Sequence, residues 1–239
     1  MHLENIVLDA VEPGPVGRFW ESVLGGERLS EGPDGFETRL ALPGGPVIDL
    51  CVQPVPVPPS EPLRLHLDLL GGDRQLELVD RFHGLGATPL DIGQGDVPWV
   101  VLADPEGNPF CVMEHRDVYR DTGPIAALPL HSADPERDAG FWSWLTGWTL
   151  ADGVAPYSLR HPSRRGPLLE LCPESAPKGA AKNRVHLDVR LDPGDDADAV
   201  SAGIAARGGQ ELDHGWGELP WRVYTDPSGN ELCVLSAVT

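Results

Sequence analysis

The stretch "DPEGNPFCVMEH" at residues 104–115 returns near the end of the chain as "DPSGNELCVLSA" at residues 226–237. Asp, Pro and Gly at its first, second and fourth positions predict a type I turn followed by a left-handed glycine. This combination is typical of a β-hairpin with a glycine bulge, and we expect the Asp104 side chain to cap the turn. The motif is therefore structural, and it sets the register of the strand that follows.

Other segments repeat in the same order. "VIDLC" at 47–51 returns as "LLELC" at 168–172, and "RLHLDL" at 64–69 returns as "RVHLDV" at 184–189. A nearly constant interval with conserved order indicates a duplication. We predict two homologous domains, at residues 1–118 and 125–239, joined by a linker at residues 119–124.

Each domain is itself divided into two similar halves. Each half reads as a strand, a helix and further strands, and the Pro-rich "QPVPVPPSEP" at 53–62 separates the first two halves. Asp134 and Pro135 begin one predicted helix, and Gly147 ends it. The predicted fold class is α+β, with paired strand-helix-strand modules that form mixed sheets with helices outside.

The composition is that of a globular protein, with 41% apolar and 23% charged residues. No stretch approaches the roughly 20 apolar residues that cross a bilayer, and the N-terminal sequence does not resemble a secretory signal. We therefore expect a cytoplasmic protein without membrane partners. The net charge of −19 argues against a nucleic-acid partner, because phosphate backbones are bound by clustered Lys and Arg.

Polar side chains share one face of the predicted strands. In "RLHLDL", the leucines point to one face while His66 and Asp68 point to the other. Applied to all strands, this alternation gives one candidate surface: Asp9, Asp49, His66, Asp68, His131, Glu170, His186 and Asp188. If the sheet is flat, the row is solvated surface; if the sheet curls, the row lines an acidic cleft for a cation, a metal or a polar ligand. Trp216, in the loop "LDHGWGELPW", is a candidate for stacking on a flat ligand, or packs beneath its loop.

These motifs resemble the vicinal-oxygen-chelate superfamily, which includes glyoxalase I, extradiol dioxygenases and bleomycin-resistance proteins. The "RFWESVLGG" helix, "NRVHLDV" and "DPEGNPFCV" are similar to its glyoxalase-like branch, and the resemblance covers nearly the whole chain. It implies two tandem domains, each with a cup-shaped mixed sheet built from paired βαβββ modules.

The resemblance also implies positions for metal ligands. It places first-strand ligands at Asn5 and Ala127, and last-strand ligands at Cys111 and Cys233, where the family often has Glu. It retains four ligand-type residues, two in each domain: Asp49, His66, Glu170 and His186. We therefore expect an incomplete metal site and no cofactor. If a divalent metal is bound, we expect these four residues to hold it, with or without the cysteines. A triad of His131, Glu170 and His186 would match a facial iron site in composition, and His66 with Asp68 would suit acid/base chemistry.

Three functions remain open at this point. The first is a small-molecule-binding protein with an acidic cleft that sequesters a cationic or aromatic compound. The second is an enzyme, either a metal-dependent lyase, isomerase or dioxygenase acting on a small oxygenated metabolite, or a metal-free acid/base catalyst. In the third, one domain is a degenerate copy and the second domain is active. The chain is expected to be a monomer whose tandem domains replace a homodimer, or a homodimer.

Overall fold

A computed structural model describes residues 1–57, 63–213 and 219–238 of the chain. Four modules of the same order follow one another. The first comprises β1 (His2–Ala10), α1 (Pro13–Leu24), β2 (Glu27–Gly32), β3 (Gly35–Ala41) and β4 (Val47–Pro54). The second comprises β5 (Asp68–Leu70), α2 (Gln75–Leu85), β6 (Thr88–Pro89), β7 (Val100–Ala103) and β8 (Pro109–Met113).

The second repeat follows the same plan. Its first module comprises β9 (Ile125–Ser132), α3 (Pro135–Thr146), β10 (Thr149–Ala151), β11 (Tyr157–Arg160) and β12 (Leu168–Pro173). Its second comprises β13 (Val185–Arg190), α4 (Ala197–Ala206), β14 (Gln210–Leu212), β15 (Trp221–Thr225) and β16 (Glu231–Leu235). Two short 3-10 turns lie at Gly72–Arg74 and Asp117–Tyr119. The paired βαβββ organisation is confirmed.

The strands form two eight-stranded mixed sheets. The first sheet has the order β14-β15-β16-β13-β1-β4-β3-β2, and the second has the order β10-β11-β12-β9-β5-β8-β7-β6. At the centre of the first sheet β1 pairs antiparallel with β13, and at the centre of the second β5 pairs antiparallel with β9. Each sheet therefore combines one module of each repeat, and each cleft draws its side chains from both.

The repeated turn has the predicted conformation. Gly107 and Gly229 have φ values of 82° and 83°, in the left-handed region that glycine tolerates. Asp104 Oδ1 accepts hydrogen bonds from the backbone N–H groups of Glu106 and Asn108, both at 2.9 Å. The capping role predicted for Asp104 is confirmed.

The helices cover the sheet faces predicted to be apolar. The leucines of "RLHLDL" and their counterparts in β13 are buried in one large cluster with the apolar sides of all four helices. Trp20 of α1 and Trp142 of α3 are 2% and 1% exposed, as expected for core residues. None of the described helices is long and apolar enough to cross a membrane. The opposite faces of the sheets carry the polar side chains.

Candidate ligand-binding cleft

A row of four side chains crosses the polar face of the first sheet. Strand register places Cys233 beside Asp188, Asp188 beside Asn5, and Asn5 beside Asp49. Neighbouring strands lie about 4.8 Å apart, so each member of the row can contact the next. Asn5 Nδ2 donates a hydrogen bond of 3.1 Å to Asp188 Oδ2, which fixes the orientation of that carboxylate.

His186 lies two residues before Asp188 on β13 and joins this row. Its Nε2 atom is 3.4 Å from Asp188 Oδ1 and 3.7 Å from Cys233 Sγ. The three donor-type atoms lie within 4.8 Å of one another. A histidine nitrogen, a carboxylate oxygen and a sulfur therefore meet at one point on the sheet.

Several polar atoms of this cluster are buried without a hydrogen bond to the described residues. They are Asn5 Oδ1, His186 Nδ1 and Asp188 Oδ1, on side chains that are less than a tenth exposed. A buried polar group without a partner costs about 1–3 kcal/mol. The cluster therefore has unsatisfied capacity to bind a ligand or an ion.

The Cys233 thiol is a poor nucleophile in this environment. Burial raises its pKa, and the nearby Asp188 carboxylate raises that pKa further. The thiolate is the reactive form of cysteine, and a raised pKa leaves little of it near neutral pH. Asp188 Oδ1 and Cys233 Sγ both face the same ring nitrogen of His186, Nε2. A nucleophilic triad instead uses both ring nitrogens of its histidine.

Two carboxylates predicted to line the cleft are already paired. Asp49 accepts hydrogen bonds of 2.9 and 2.7 Å from the guanidinium of Arg39. Asp9 is 1% exposed and lies 2.5 Å from the ammonium of Lys182. These pairings reduce the negative charge that the sequence led us to expect in the cleft.

A cavity of about 380 Å³ opens on this face of the first sheet. His186, Asp188 and Asn5 contribute polar atoms to its lining, and Trp221 of β15 is a large aromatic residue in its wall. The wall also includes the apolar side chains Val7, Val223 and Leu235. This volume and mixture are typical of a site for a small organic molecule.

Trp221 is a cavity residue that was not among the candidates from the sequence. It lines the cavity and is 37% exposed. The alternation of "WRVY" contained the signal, because Trp221 and Val223 share a face with Cys233, the partner of Val223 in the register.

The second sheet carries a corresponding row with different chemistry. Cys111 pairs with Asp68, Asp68 with Ala127, and Ala127 with Leu168. His66 Nε2 lies 3.2 Å from Asp68 Oδ1, and His66, Asp68 and Cys111 form a second group of donors within 4.8 Å. Alanine and leucine therefore stand where the first sheet has Asn5 and Asp49.

Glu170 lies two residues beyond Leu168, the residue that occupies the position of Asp49. It pairs with Pro129 of β9, whereas Asp49 pairs with Asn5 of β1. The hairpin between β11 and β12 is shorter than the one between β3 and β4. Arg160 pairs with Leu168, whereas its counterpart Arg39 pairs with Asp49. Glu170 is buried, accepts a 2.9 Å hydrogen bond from the Val154 backbone N–H, and has its pKa raised by burial.

Tyr119 covers the polar face of the second sheet. It comes from the 3-10 turn between the repeats, is 1% exposed, and packs in a cluster with Cys111, Ala127 and Leu168. The Arg116 guanidinium lies 5.6 Å from the ring centroid of Trp99 and 5.8 Å from that of Tyr119. Side chains of the protein itself thus occupy the region that corresponds to the cavity of the first sheet.

The remaining sequence-predicted residues lie outside the first-sheet cluster. His131 is on β9 of the second sheet, next to Arg64, and its pKa is lowered by burial and by that guanidinium. Asp9, at the far end of β1, is held by Lys182 and by Gln53, which donates a 2.6 Å hydrogen bond. Trp216 lies outside the described residues. A joint site of His131, Glu170 and His186 is not formed, because His186 belongs to the other sheet.

Comparison with known proteins agrees with this architecture. A family model described as "Glyoxalase-like domain" matches residues 5–113 and again residues 127–235. No curated protein matches the sequence. A glyoxalase I structure from Zea mays has a TM-score of 0.66 at 17% identity and covers 98% of this chain and 92% of its own. A putative dioxygenase from Bacillus subtilis has a TM-score of 0.61 at 13% identity, with 100% and 86% coverage. At these identities the two structures show the fold alone.

Proposed function

The chain belongs to the glyoxalase-like domain family of the vicinal-oxygen-chelate superfamily, and on this basis we propose that it binds a small organic molecule in the cleft of its first sheet. The observation that carries the proposal is the 380 Å³ cavity in the first sheet, whose counterpart region in the second sheet is filled by Tyr119. One open and one filled cleft also support the hypothesis that the duplicated units have diverged in role. The open cleft uses modules of both repeats, so neither repeat is the active half by itself.

The lining of the cavity defines the class of ligand. Trp221, Val223 and Leu235 offer an aromatic and apolar wall, which suits a flat or aromatic ligand body. His186 and Asp188 offer a polar end with unsatisfied atoms. We infer a ligand with a planar apolar body and a polar head.

The charges of the cleft side chains indicate that the polar head of the ligand carries one cationic or hydrogen-bond-donating group. Glu231 lies 3.2 Å from Lys178, and Asp9 and Asp49 are paired with Lys182 and Arg39. Asp188 has an ion-pair contact with His186, and it has none with a Lys or Arg of the described residues. A ligand with a single amino group therefore suits the cleft better than a polycation or an anion.

Thermal-shift measurements with aromatic amines, their neutral analogues and the corresponding acids test this proposal. We expect the amines to raise Tm most, and Asp188→Asn and Trp221→Ala to remove the shift. Asp68→Asn and Trp99→Ala, the matched changes in the second sheet, should leave it intact. Stabilisation by aliphatic anions alone, or loss of the shift only in the second-sheet variants, would contradict the proposal.

A metal-dependent enzyme is the second candidate function. The meeting of His186, Asp188 and Cys233 supports it, because catalytic metal sites have about three protein ligands and an open position. Such an enzyme would be a lyase, isomerase or dioxygenase acting on a small oxygenated metabolite. Turnover that requires a divalent ion and is lost in His186→Ala but not in His66→Ala would support this candidate; equal turnover after chelation would exclude it.

A further inference from the structure

The cavity of the first sheet has a second polar end, formed by Lys182, Gln53 and Asp9. Lys182 and Gln53 line the cavity, and Asp9, which contacts both of them, is 1% exposed. Asp9 Oδ2 accepts a 2.5 Å hydrogen bond from Lys182 Nζ, and Asp9 Oδ1 accepts one of 2.6 Å from Gln53 Nε2. A buried carboxylate thus holds both side chains in place at the cavity wall.

The Lys182 ammonium has hydrogen-bond donors left for a ligand. A lysine ammonium carries three N–H donors and no acceptor. The hydrogen bond that Lys182 makes with the described residues uses one of these donors, and the side chain is 32% exposed. A ligand atom that contacts Lys182 is therefore an acceptor oxygen. Because Asp9 balances the charge of Lys182, a carbonyl oxygen and a carboxylate both suit this end of the cavity.

Strand geometry sets the distance between this end and the Asp188 carboxylate. Asp188 pairs with Asn5 of β1, and Asp9 lies four residues further along β1. A strand rises about 3.3 Å per residue, so the two positions are about 13 Å apart. Val7, which lies between them, lines the cavity with an apolar side chain. Hydrogen bonds of about 2.8 Å at each end leave roughly 7 Å between the two ligand atoms.

The aromatic wall of the cavity and Lys182 lie on opposite sides of Asp188. Trp221 is level with Arg190, because both residues pair with Leu235. Arg190 comes two residues after Asp188, whereas Lys182 comes six residues before it. The cavity therefore presents an aromatic wall, a carboxylate and an ammonium group, in that order.

We propose that Lys182 determines the specificity of this cleft, and that the ligand is an aromatic amine with an acceptor oxygen about 7 Å from its nitrogen. The amine contacts Asp188, the aromatic group lies against Trp221, and the oxygen accepts a hydrogen bond from Lys182. The inference rests on the proposed function, because it names the ligand class of the same cleft. The acceptor oxygen distinguishes this ligand from a simple aromatic amine.

Isothermal titration calorimetry with matched probes tests the second polar end. Phenylalanyl-glycine carries an aromatic amine and, in its extended form, a terminal oxygen about 7 Å away. Phenylalanine ethylamide has the same chain but ends in a methyl group. We expect phenylalanyl-glycine to bind about 10- to 100-fold more tightly than the ethylamide, as for a hydrogen bond to a charged group.

A third probe, phenylalanyl-glycinamide, has an uncharged terminal oxygen and should also bind more tightly than the ethylamide. A gain in affinity for only one of the two oxygen-bearing probes would support the proposal and identify the oxygen as a carboxylate or a carbonyl. Equal affinities of all three probes would overturn it.

A double substitution tests Lys182 without leaving a buried charge. Asp9→Asn combined with Lys182→Met should reduce the advantage of phenylalanyl-glycine over the ethylamide to less than 2-fold. Lys182→Arg keeps the donors and should retain most of the advantage. Glu21→Gln combined with Arg28→Met neutralises an ion pair between α1 and β2 and should retain all of it. Circular dichroism reports the fold of each variant, and an advantage that persists in the folded Asp9 and Lys182 double variant would overturn the proposal.

The outcome is separable from that of the proposed function. Ethylamide binding that requires Asp188, without any gain from a terminal oxygen, would refute this inference and leave the proposed function standing. A gain from the terminal oxygen that survives Asp188→Asn, but not the double substitution at Asp9 and Lys182, would do the reverse. Absence of binding by every probe would refute both.

Discussion

Asp104 and Asp226 connect the repeated turn to the helix packed against it. Asp104 Oδ2 accepts a 3.1 Å hydrogen bond from the indole N–H of Trp20, and Asp226 Oδ2 accepts one of 3.2 Å from Trp142. Both carboxylates also accept the turn's own backbone N–H groups. The Asp of the motif thus fixes the turn and anchors a buried tryptophan, which explains why it occurs once in each repeat.

Removing this carboxylate should destabilise the protein more than removing the indole donor. Asp104→Ala leaves several buried donors without an acceptor, and we expect it to lower the free energy of unfolding by at least about 2 kcal/mol. Trp20→Phe keeps most of the ring and should cost about 1 kcal/mol for the lost hydrogen bond, plus a smaller packing loss. Urea denaturation measures both, with Asp80→Ala on the exposed face of α2 as the control. Equal stability of Asp104→Ala and the control would contradict this role.

At the scale of elements, the 3-10 turn at Asp117–Tyr119 distinguishes the two clefts. It inserts the Tyr119 ring against the polar face of the second sheet, beside Cys111. The first sheet has Val223, Cys233 and Leu235 on the corresponding face, where the cavity opens. A residue between the repeats thus packs over the polar face of the second sheet, and the first sheet has its cavity on the corresponding face.

Tyr119→Ala should therefore create a cavity in the second sheet. We expect the free energy of unfolding to fall by about 3–5 kcal/mol, as for other large-to-small changes of buried aromatic residues. Tyr119→Phe keeps the ring and should cost less than about 1.5 kcal/mol, which separates packing from the hydroxyl group. Urea denaturation of both variants decides the point. A similar loss in the two variants would show that the hydroxyl group, and not the ring, is responsible.

The sequence predicted the elements well because their signals are local. Alternation correctly separated Ile6 and Leu8, which are buried in the core, from Asn5 and Val7, which line the cleft. Register depends on hairpin length, and the match of "VIDLC" to "LLELC" hid the shorter hairpin that moves Glu170 away from the position of Asp49. The Arg39–Asp49 pair and the covering role of Tyr119 are contacts between elements, which periodicity alone does not encode.

At the scale of the whole molecule, the two repeats are interleaved. Each sheet is completed at its centre by pairing between repeats, β1 with β13 and β5 with β9. One apolar cluster joins residues of both sheets and of helices from both repeats. The cleft of the first sheet therefore exists only when both repeats are present.

Separated repeats should accordingly depend on each other. Residues 1–118 alone leave β1 and β5 without their central partners, and exposed strand edges are templates for pairing with another chain. We expect this fragment to be a dimer, and to form a one-to-one complex when co-expressed with residues 119–239. Sedimentation equilibrium measures the masses. A folded monomer of residues 1–118 would contradict the interdependence of the repeats.

The first-sheet cleft is proposed as the functional site, with Asp188 as the carboxylate that meets the ligand. Isothermal titration calorimetry with an aromatic amine that raises Tm decides between this cleft and the second sheet. We expect one binding site per chain, which Asp188→Asn removes and the matched change Asp68→Asn leaves intact. Binding that survives Asp188→Asn, or that is lost only in Asp68→Asn, would contradict this assignment.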